Sequence, residues 1–234
     1  VSPVRPTRIG EILLKQMHTV VYEVDKIDDL IEHESQRIKG EIRIGLIPTI
    51  SPYLLPLFVP KINEAYPDLD LNISELTTQN CLKALENEEI DLAVLATKED
   101  QASFYQENLY EEEMLLYLND SHPFLKRKSI RVSELSASEI WLLEEGHCLR
   151  DEIISICKMR NRPKNLNFNI GNLESIRYLV EENFGYTLLP YLSTLRLSTK
   201  ARKNLRRVVE PTPTRIVNFT MRRRFLKAAI VEAL

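Results

Sequence analysis

From Glu41 onward, short apolar runs the length of a strand take turns with runs at helical spacing. That alternation restricts the fold more than any other property of the 234 residues. Ile42-Arg43-Ile44-Gly45-Leu46-Ile47 reads as a strand and residues 48–52 as a turn, with a helix through Leu54, Leu55, Phe58 and Ile62 to Tyr66. Residues 70–76 alternate as a strand, 78–87 follow a helical pattern, and 91–96 read as a buried strand. Strands alternating with helices imply β-α-β units on a mostly parallel sheet, an α/β fold. Residues 109–118 are expected to carry the chain into a second α/β lobe. That lobe would hold a strand at 139–143, a helix from Cys148, a strand near 166–170, a helix at 173–182 and a strand at 186–190. A strand at 215–221 and a helix at 225–234 would return to the first lobe.

Ahead of this region the texture differs. Residues 1–8 are rich in proline and arginine and read as the end of another element. From residue 9 to about 38, Leu13, Met17, Val20, Val24, Ile27 and Ile31 are spaced four and three apart, a heptad seam. A helix of about 30 residues spans about 45 Å, more than one small domain covers, so the seam calls for a partner. Residues 9–40 are therefore expected to form a dimerisation helix, ended by Gly40.

Composition narrows the functional classes. The net charge of −3 argues against a general polyanion binder, so any DNA contact is expected to come from elsewhere. No apolar run approaches the ~18 residues of a membrane span, and Val-Ser-Pro-Val-Arg-Pro does not read as a signal peptide. Three cysteines do not make a disulfide framework, and a reducing, cytoplasmic setting is expected. No Cys-x-x-Cys, metal-ligand cluster or nucleotide-binding loop is present, so no metal or cofactor is expected. The basic cluster at Lys200, Arg202, Lys203, Arg206 and Arg207 reads as a solvated face.

The chemistry concentrates in Glu144-Glu145-Gly146-His147-Cys148-Leu149-Arg150-Asp151, with Cys157 following. Ile153, Ile154 and Cys157 share one helical face, Gly146 breaks the chain before it, and Asp151 and Glu152 favour a first turn. Nine residues of helix rise about 13.5 Å, whereas a disulfide needs Cα atoms within about 7 Å. If the two cysteines pair at all, the helix must first unwind. Cys148, at a helix N-terminus beside His147 and near Arg150, is expected to have a lowered thiol pKa, with Glu144 and Glu145 opposing. Two buried, inert cysteines remain the alternative.

Gly-His-Cys-Leu-Arg-Asp with a second cysteine nine residues after the first resembles the sensing segment of the hydrogen-peroxide-responsive LysR-type transcriptional regulators. The Gly-x-Ile-x-Ile-Gly strand start, Tyr66-Pro67, Ile90-Asp91-Leu92-Ala93-Val94 and Gly185-Tyr186-Thr187-Leu188-Leu189-Pro190 are similar to the effector-binding domain of the same family. The resemblance implies a two-lobed, periplasmic-binding-protein-like domain, lobe I at about 41–112 and 212–234 and lobe II at about 113–211. It implies a linker helix before that domain and residues 1–8 as the remnant of a winged helix-turn-helix whose DNA-reading head lies outside this sequence. By the same resemblance the partners are a second copy in a dimer or tetramer, DNA, RNA polymerase and hydrogen peroxide, with control of antioxidant genes and no membrane.

A peroxide-reducing thiol needs a thiolate, donors that steady the breaking O–O bond and a proton for the departing hydroxide. The resemblance makes Cys148 the nucleophile, oxidised to a sulfenic acid, and Cys157 the resolving thiol that condenses with it. It places Thr49, Thr78, His147, Asp151 and Arg222 around the peroxide. A histidine that members of the group carry ten residues after the resolving cysteine is replaced by Asn167, which cannot titrate near neutrality. Each assignment has a plainer counterpart: helix caps for Thr49 and Thr78, a first-turn carboxylate for Asp151, surface charge for Arg222. Cys81, beside Leu82 and Leu85, reads as core. A LysR-type regulator holding a small organic effector between its lobes is the second functional reading, and a thiol peroxidase that turns over is the third.

Overall fold

The computed structural model describes residues 6–10, 12–14, 16, 17, 20, 39–99, 103–136, 138–157, 170–183 and 185–223. Fourteen elements position the site: β1 (Gly40–Leu46), α1 (Ser51–Ala65), β2 (Leu69–Glu75), α2 (Thr78–Glu86), β3 (Leu92–Leu95), β4 (Phe104–Leu118), β5 (Ser129–Arg131), α3 (Cys148–Ile156), α4 (Leu173–Glu181), β6 (Tyr186–Pro190), α5 (Tyr191–Thr194), α6 (Thr199–Arg202), β7 (Leu205–Val209) and β8 (Thr214–Arg222).

The strands hydrogen-bond in the order β2-β1-β3-β8-β4-β7-β5, with β6 also on β4. Pairs β1/β2, β1/β3 and β5/β7 are parallel, while β3/β8, β8/β4, β4/β6 and β4/β7 are antiparallel. The sheet is thus mixed rather than mostly parallel. Strand β8 runs against both of its neighbours, β3 and β4, and so brings antiparallel pairing into the sheet. At 15 residues β4 spans about 50 Å and serves both lobes. Its first part, to Glu113, pairs with β8, and from Met114 it pairs with β6.

Two apolar cores follow. One gathers Ile42, Ile44, Leu46, Leu85, Leu92, Leu95 and Val217 from the β1–β3 side. The other gathers Met114, Leu116, Leu118, Ile130, Leu149, Ile153, Ile176 and Leu188. Helix α1 carries Pro52, Pro56 and Pro60 at four-residue intervals, all exposed. Their missing N–H groups therefore leave carbonyls that water can reach, and the helix continues through them.

Residues 139–143 do not form a ladder strand. They run extended beside β6 through one parallel bridge, Ile140 to Tyr186, with Trp141 N donating to the Tyr186 carbonyl at 2.8 Å. Arg206, read from sequence as solvated, instead donates to the carbonyls of Arg127 (2.6 Å) and Lys203 (2.8 Å). In the N-terminal region the described residues between 8 and 20 are helical, and Leu13, Met17 and Val20 are exposed. Val24, Ile27 and Ile31, residues 166–169 of the strand expected near 166–170, Asn167 among them, and the helix expected at 225–234 lie outside the described residues, and Ile170 itself is not in a strand.

Candidate functional site

Helix α3 begins at Cys148 because Gly146 adopts φ +96° and turns the chain into it, with His147 as the N-cap residue. The helix bridges the two cores. Cys148, 9% exposed, packs in the β1–β3 core, while Leu149 and Ile153 are buried in the other and Cys157 packs against that second core from the C-cap. Both sulfurs are free thiols. Nine residues of intact helix hold their Cα atoms about 13.5 Å apart.

Facing Cys148 is a charge cluster centred on Arg215, the second residue of β8. Its Nε donates to Glu112 Oε1 at 2.8 Å, Nη1 to Thr49 Oγ1 at 3.1 Å and Nη2 to the Thr49 carbonyl at 3.2 Å. The Arg215 and Glu112 side chains are 1% and 3% exposed, and Glu112 Oε2 accepts the Leu192 N–H at 2.8 Å. Thr49 therefore does not cap α1, whose N-cap is Ile50 without a side-chain cap. Nor does Thr78 cap α2. It is the first helical residue, its hydroxyl is buried without a formed hydrogen bond, and it lies against the Cys148 sulfur.

Glu152, one helical turn after Cys148, completes the cluster. Burial pushes its carboxyl up to about 7, with Arg215 pulling the other way and Glu112 and Asp151 adding to the rise. The Cys148 thiol is raised rather than lowered. Burial is the main cause and the Glu152 charge the second, outweighing Arg215, Thr78 and the Leu149 N–H. Desolvation thus overrides the helix-start effect read from sequence. Arg150 does not lower the thiol either: its Nη1 donates to the Leu143 carbonyl at 2.7 Å. Burial also raises Cys157, to about 11.

The structure thus brings Cys148, Thr49 and Thr78 together and adds Arg215, Glu112 and Glu152, which sequence reasoning missed. It does not bring Arg222 to them. Arg222 ends β8, seven residues and about 23 Å of strand beyond Arg215, and pairs with Glu88 at the surface. Asp151 is exposed on the outer side of α3. His147 is buried, but its Nε2 lies 3.9 Å from Glu144 Oε1 and against Gly171. Cys81 is fully buried, with its sulfur 3.8 Å from the Leu76 carbonyl. Among the described residues no group of His, Cys, Asp and Glu could hold a metal ion, and no helix is long and apolar enough to cross a membrane.

The chain is similar to known proteins in sequence and in fold. A family model described as the LysR substrate binding domain matches residues 35–234. The hydrogen peroxide-inducible genes activator of Haemophilus influenzae is 32% identical over 216 residues, covering 92% of this chain and 72% of that protein. The DNA-binding transcriptional dual regulator OxyR of Escherichia coli is 32% identical over 187 residues, covering 80% of this chain and 61% of that protein. Among solved structures, an OxyR mutant from Porphyromonas gingivalis superposes with a TM-score of 0.77 at 32% identity, covering 83% of this chain and 89% of that one. The oxidised form of OxyR gives a TM-score of 0.71 at 30% identity, covering 84% and 94%. The chain belongs to the LysR-type transcriptional regulators, within the group of hydrogen peroxide-inducible genes activators.

Proposed function

We propose that this chain is the redox-sensing regulatory part of a DNA-binding regulator, and that hydrogen peroxide is its signal. Peroxide oxidises Cys148 to a sulfenic acid, Cys157 displaces water from it, and a Cys148–Cys157 disulfide forms. One observation carries the reading: a single nine-residue helix holds the two free thiols in separate cores. Bringing Cα atoms from about 13.5 Å to the 4.4–6.8 Å of a disulfide requires α3 to unwind and Cys148 to leave its core. The chemical event is thereby converted into a change of packing between the lobes. One oxidation per signal suffices, so turnover as an enzyme is not required.

Arg215 and the Thr49 and Thr78 hydroxyls are the groups that hold peroxide against the sulfur, and Arg222 has no part in this. The exposed Leu13, Met17 and Val20 are the start of a seam that pairs with a second copy and passes the change toward DNA. By analogy with the group, the assembly is a dimer or tetramer that engages RNA polymerase at antioxidant genes.

The test is peptide mapping. The reduced chain is treated with roughly stoichiometric hydrogen peroxide, alkylated, and digested with trypsin without reductant. Arg150 places a cleavage site between the cysteines, so the disulfide joins two otherwise separate peptides. Cys157→Ser stops at a sulfenic acid trapped by dimedone, and Cys148→Ser yields neither product. Trp141, 9% exposed and packed beside β6, reports the refolding by fluorescence. Two free thiols in the treated wild-type chain overturn the reading and favour a small effector bound between the lobes.

A further inference from the structure

A thiol whose pKa burial has raised is a poor nucleophile at neutral pH, and Cys148 is such a thiol. Its proton must go somewhere before the sulfur attacks. The departing hydroxide must then find a proton in a site shielded from water. The surroundings offer few groups for either task. On β8 stands Arg215, a donor only, already committed to Glu112 and Thr49. On β4, Glu112 spends one oxygen on Arg215 and the other on the Leu192 N–H, and the Tyr110 hydroxyl is raised beyond use by burial. On α2, Cys81 is raised to about 12, mainly by burial. At the N-cap of α3 the His147 ring is turned to Glu144 and Gly171, and on the helix itself Asp151 is exposed and Glu152 is not.

Glu152 differs from all of these. It lies four residues after Cys148 on a regular helix, which puts the two Cβ atoms about 5–6 Å apart on one face. Among the described residues, three buried side-chain oxygens have no hydrogen-bond partner: Glu152 Oε2, Thr78 Oγ1 and Tyr110 Oη. All three belong to this cluster, Thr78 through the Cys148 sulfur and the others through Arg215. Each such buried oxygen asks for an explanation, and a catalytic role is one. Burial raises the Glu152 carboxyl to about 7 against the pull of Arg215, so its acid and carboxylate forms are both populated near neutrality.

We propose that Glu152 is the proton relay of the sensor: it takes the Cys148 thiol proton and delivers it to the oxygen that leaves when peroxide is reduced. The inference rests on the peroxide-reducing role of Cys148. The active pair holds one proton, first on sulfur and then on the carboxylate. The thiolate attacks one peroxide oxygen, an S–O bond forms and the O–O bond breaks. Sulfur is oxidised by two electrons, and the departing hydroxide takes the Glu152 proton and leaves as water. Glu152 ends as the carboxylate it began as, and Cys148 as the sulfenic acid. Because the proton is shared, the reactive species is the singly protonated pair. The oxidation rate rises through pH 7 and levels off above it, far below the pH at which the thiol alone would ionise.

Glu152→Gln separates this role from a merely electrostatic one, because the two predict opposite signs. As a bystander, Glu152 only holds the thiol pKa up, and its removal makes Cys148 react faster. As a relay, its removal slows oxidation by hydrogen peroxide at pH 7 about a hundredfold and abolishes the plateau above pH 7. Alkylation of Cys148 by iodoacetamide is measured alongside. Both reactions need the thiolate, which loss of the Glu152 charge favours, but iodide leaves without a proton, so alkylation of the variant holds or rises while peroxide oxidation falls. That divergence, read by mass spectrometry on the 234-residue chain across pH 5.5–9, is the expected result. Peroxide rates equal to or above wild type, or both reactions falling together, overturn the proposal. A wild-type Cys148 that peroxide does not oxidise overturns the sensor reading itself, a distinct outcome.

Discussion

Replacing Glu112 by glutamine tests whether the Arg215 cluster is the structural anchor of the site. The substitution keeps the shape and removes the charge. In the wild type the guanidinium is 1% exposed and reaches Glu112 Oε1 at 2.8 Å, while Oε2 accepts the Leu192 N–H. A glutamine has one acceptor oxygen for these two donors and turns an NH2 toward the other. It leaves Arg215 as a buried charge without its counter-ion, a change that costs about 3–5 kcal/mol. For a chain of this size each kcal/mol moves Tm by about 2–4 °C, so a fall of roughly 6–20 °C is expected by calorimetry. The neighbouring residue supplies the control. Glu113 pairs with Arg207 at 2.6 Å, but the two side chains are 37% and 63% exposed, so Glu113→Gln should cost under about 1 kcal/mol. Equal shifts for the two variants, or a Glu112→Gln loss below about 1 kcal/mol, would refute the view that burial turns this ion pair into an anchor.

Three further variants test the site's electrostatics and its turns. The Glu152 carboxyl is raised from 4.5 to about 7 on folding, so the native state binds more protons than the unfolded chain in that window. Wild-type stability should therefore fall as pH rises from about 4.5 to about 7, by at most about 3 kcal/mol, and Glu152→Gln should lack this fall, as urea titrations at pH 5 and 8 would show. Gly185 has φ +55°, and a Cβ there would sit 2.0 Å from the Glu139 carbonyl oxygen, so Gly185→Ala should cost at least about 2 kcal/mol. Gly146, at φ +96° with nothing within 4 Å of a Cβ, should lose only about 1 kcal/mol as alanine, and thermal melts of the pair separate clash from backbone strain.

Much of the architecture is legible in local pattern. The strands at 42–47 and 186–190 and the helices at 78–87 and 148–156 are seen in place, because period and punctuation there are properties of adjacent residues. The mixed sheet was not legible. Whether β4 and β8 run parallel or antiparallel to their neighbours is decided by the route of the chain, and that leaves no mark in composition. Residues 139–143 look as apolar as any strand, yet only Ile140 meets β6 in a bridge.

The candidate site divides in the same way. The two cysteines, their spacing and the helix between them could be read directly, and Thr49 and Thr78 followed from resemblance. The arginine could not. Arg222-Arg223-Arg224 draws the eye, whereas Arg215 stands alone at the start of an ordinary apolar strand. Which of Glu111, Glu112 and Glu113 faces inward is likewise undecided until β4 and β8 pair in the register that sets Glu112 opposite Arg215. Side chains alternate across a strand, so a slip of one residue would bury a different glutamate.

What the sequence by itself determined is the reach of the chemistry: two thiols too far apart to bond while their helix stands. Only the tertiary structure decided the protonation of that chemistry. A pKa depends on which charges and how much water stand within a few ångströms, and those are brought by strands about 40 and 70 residues away along the chain. Burial beside Glu152 and Arg215 makes Cys148 a protonated thiol with a carboxyl at hand, where the neighbouring His147 and Arg150 had suggested a ready thiolate.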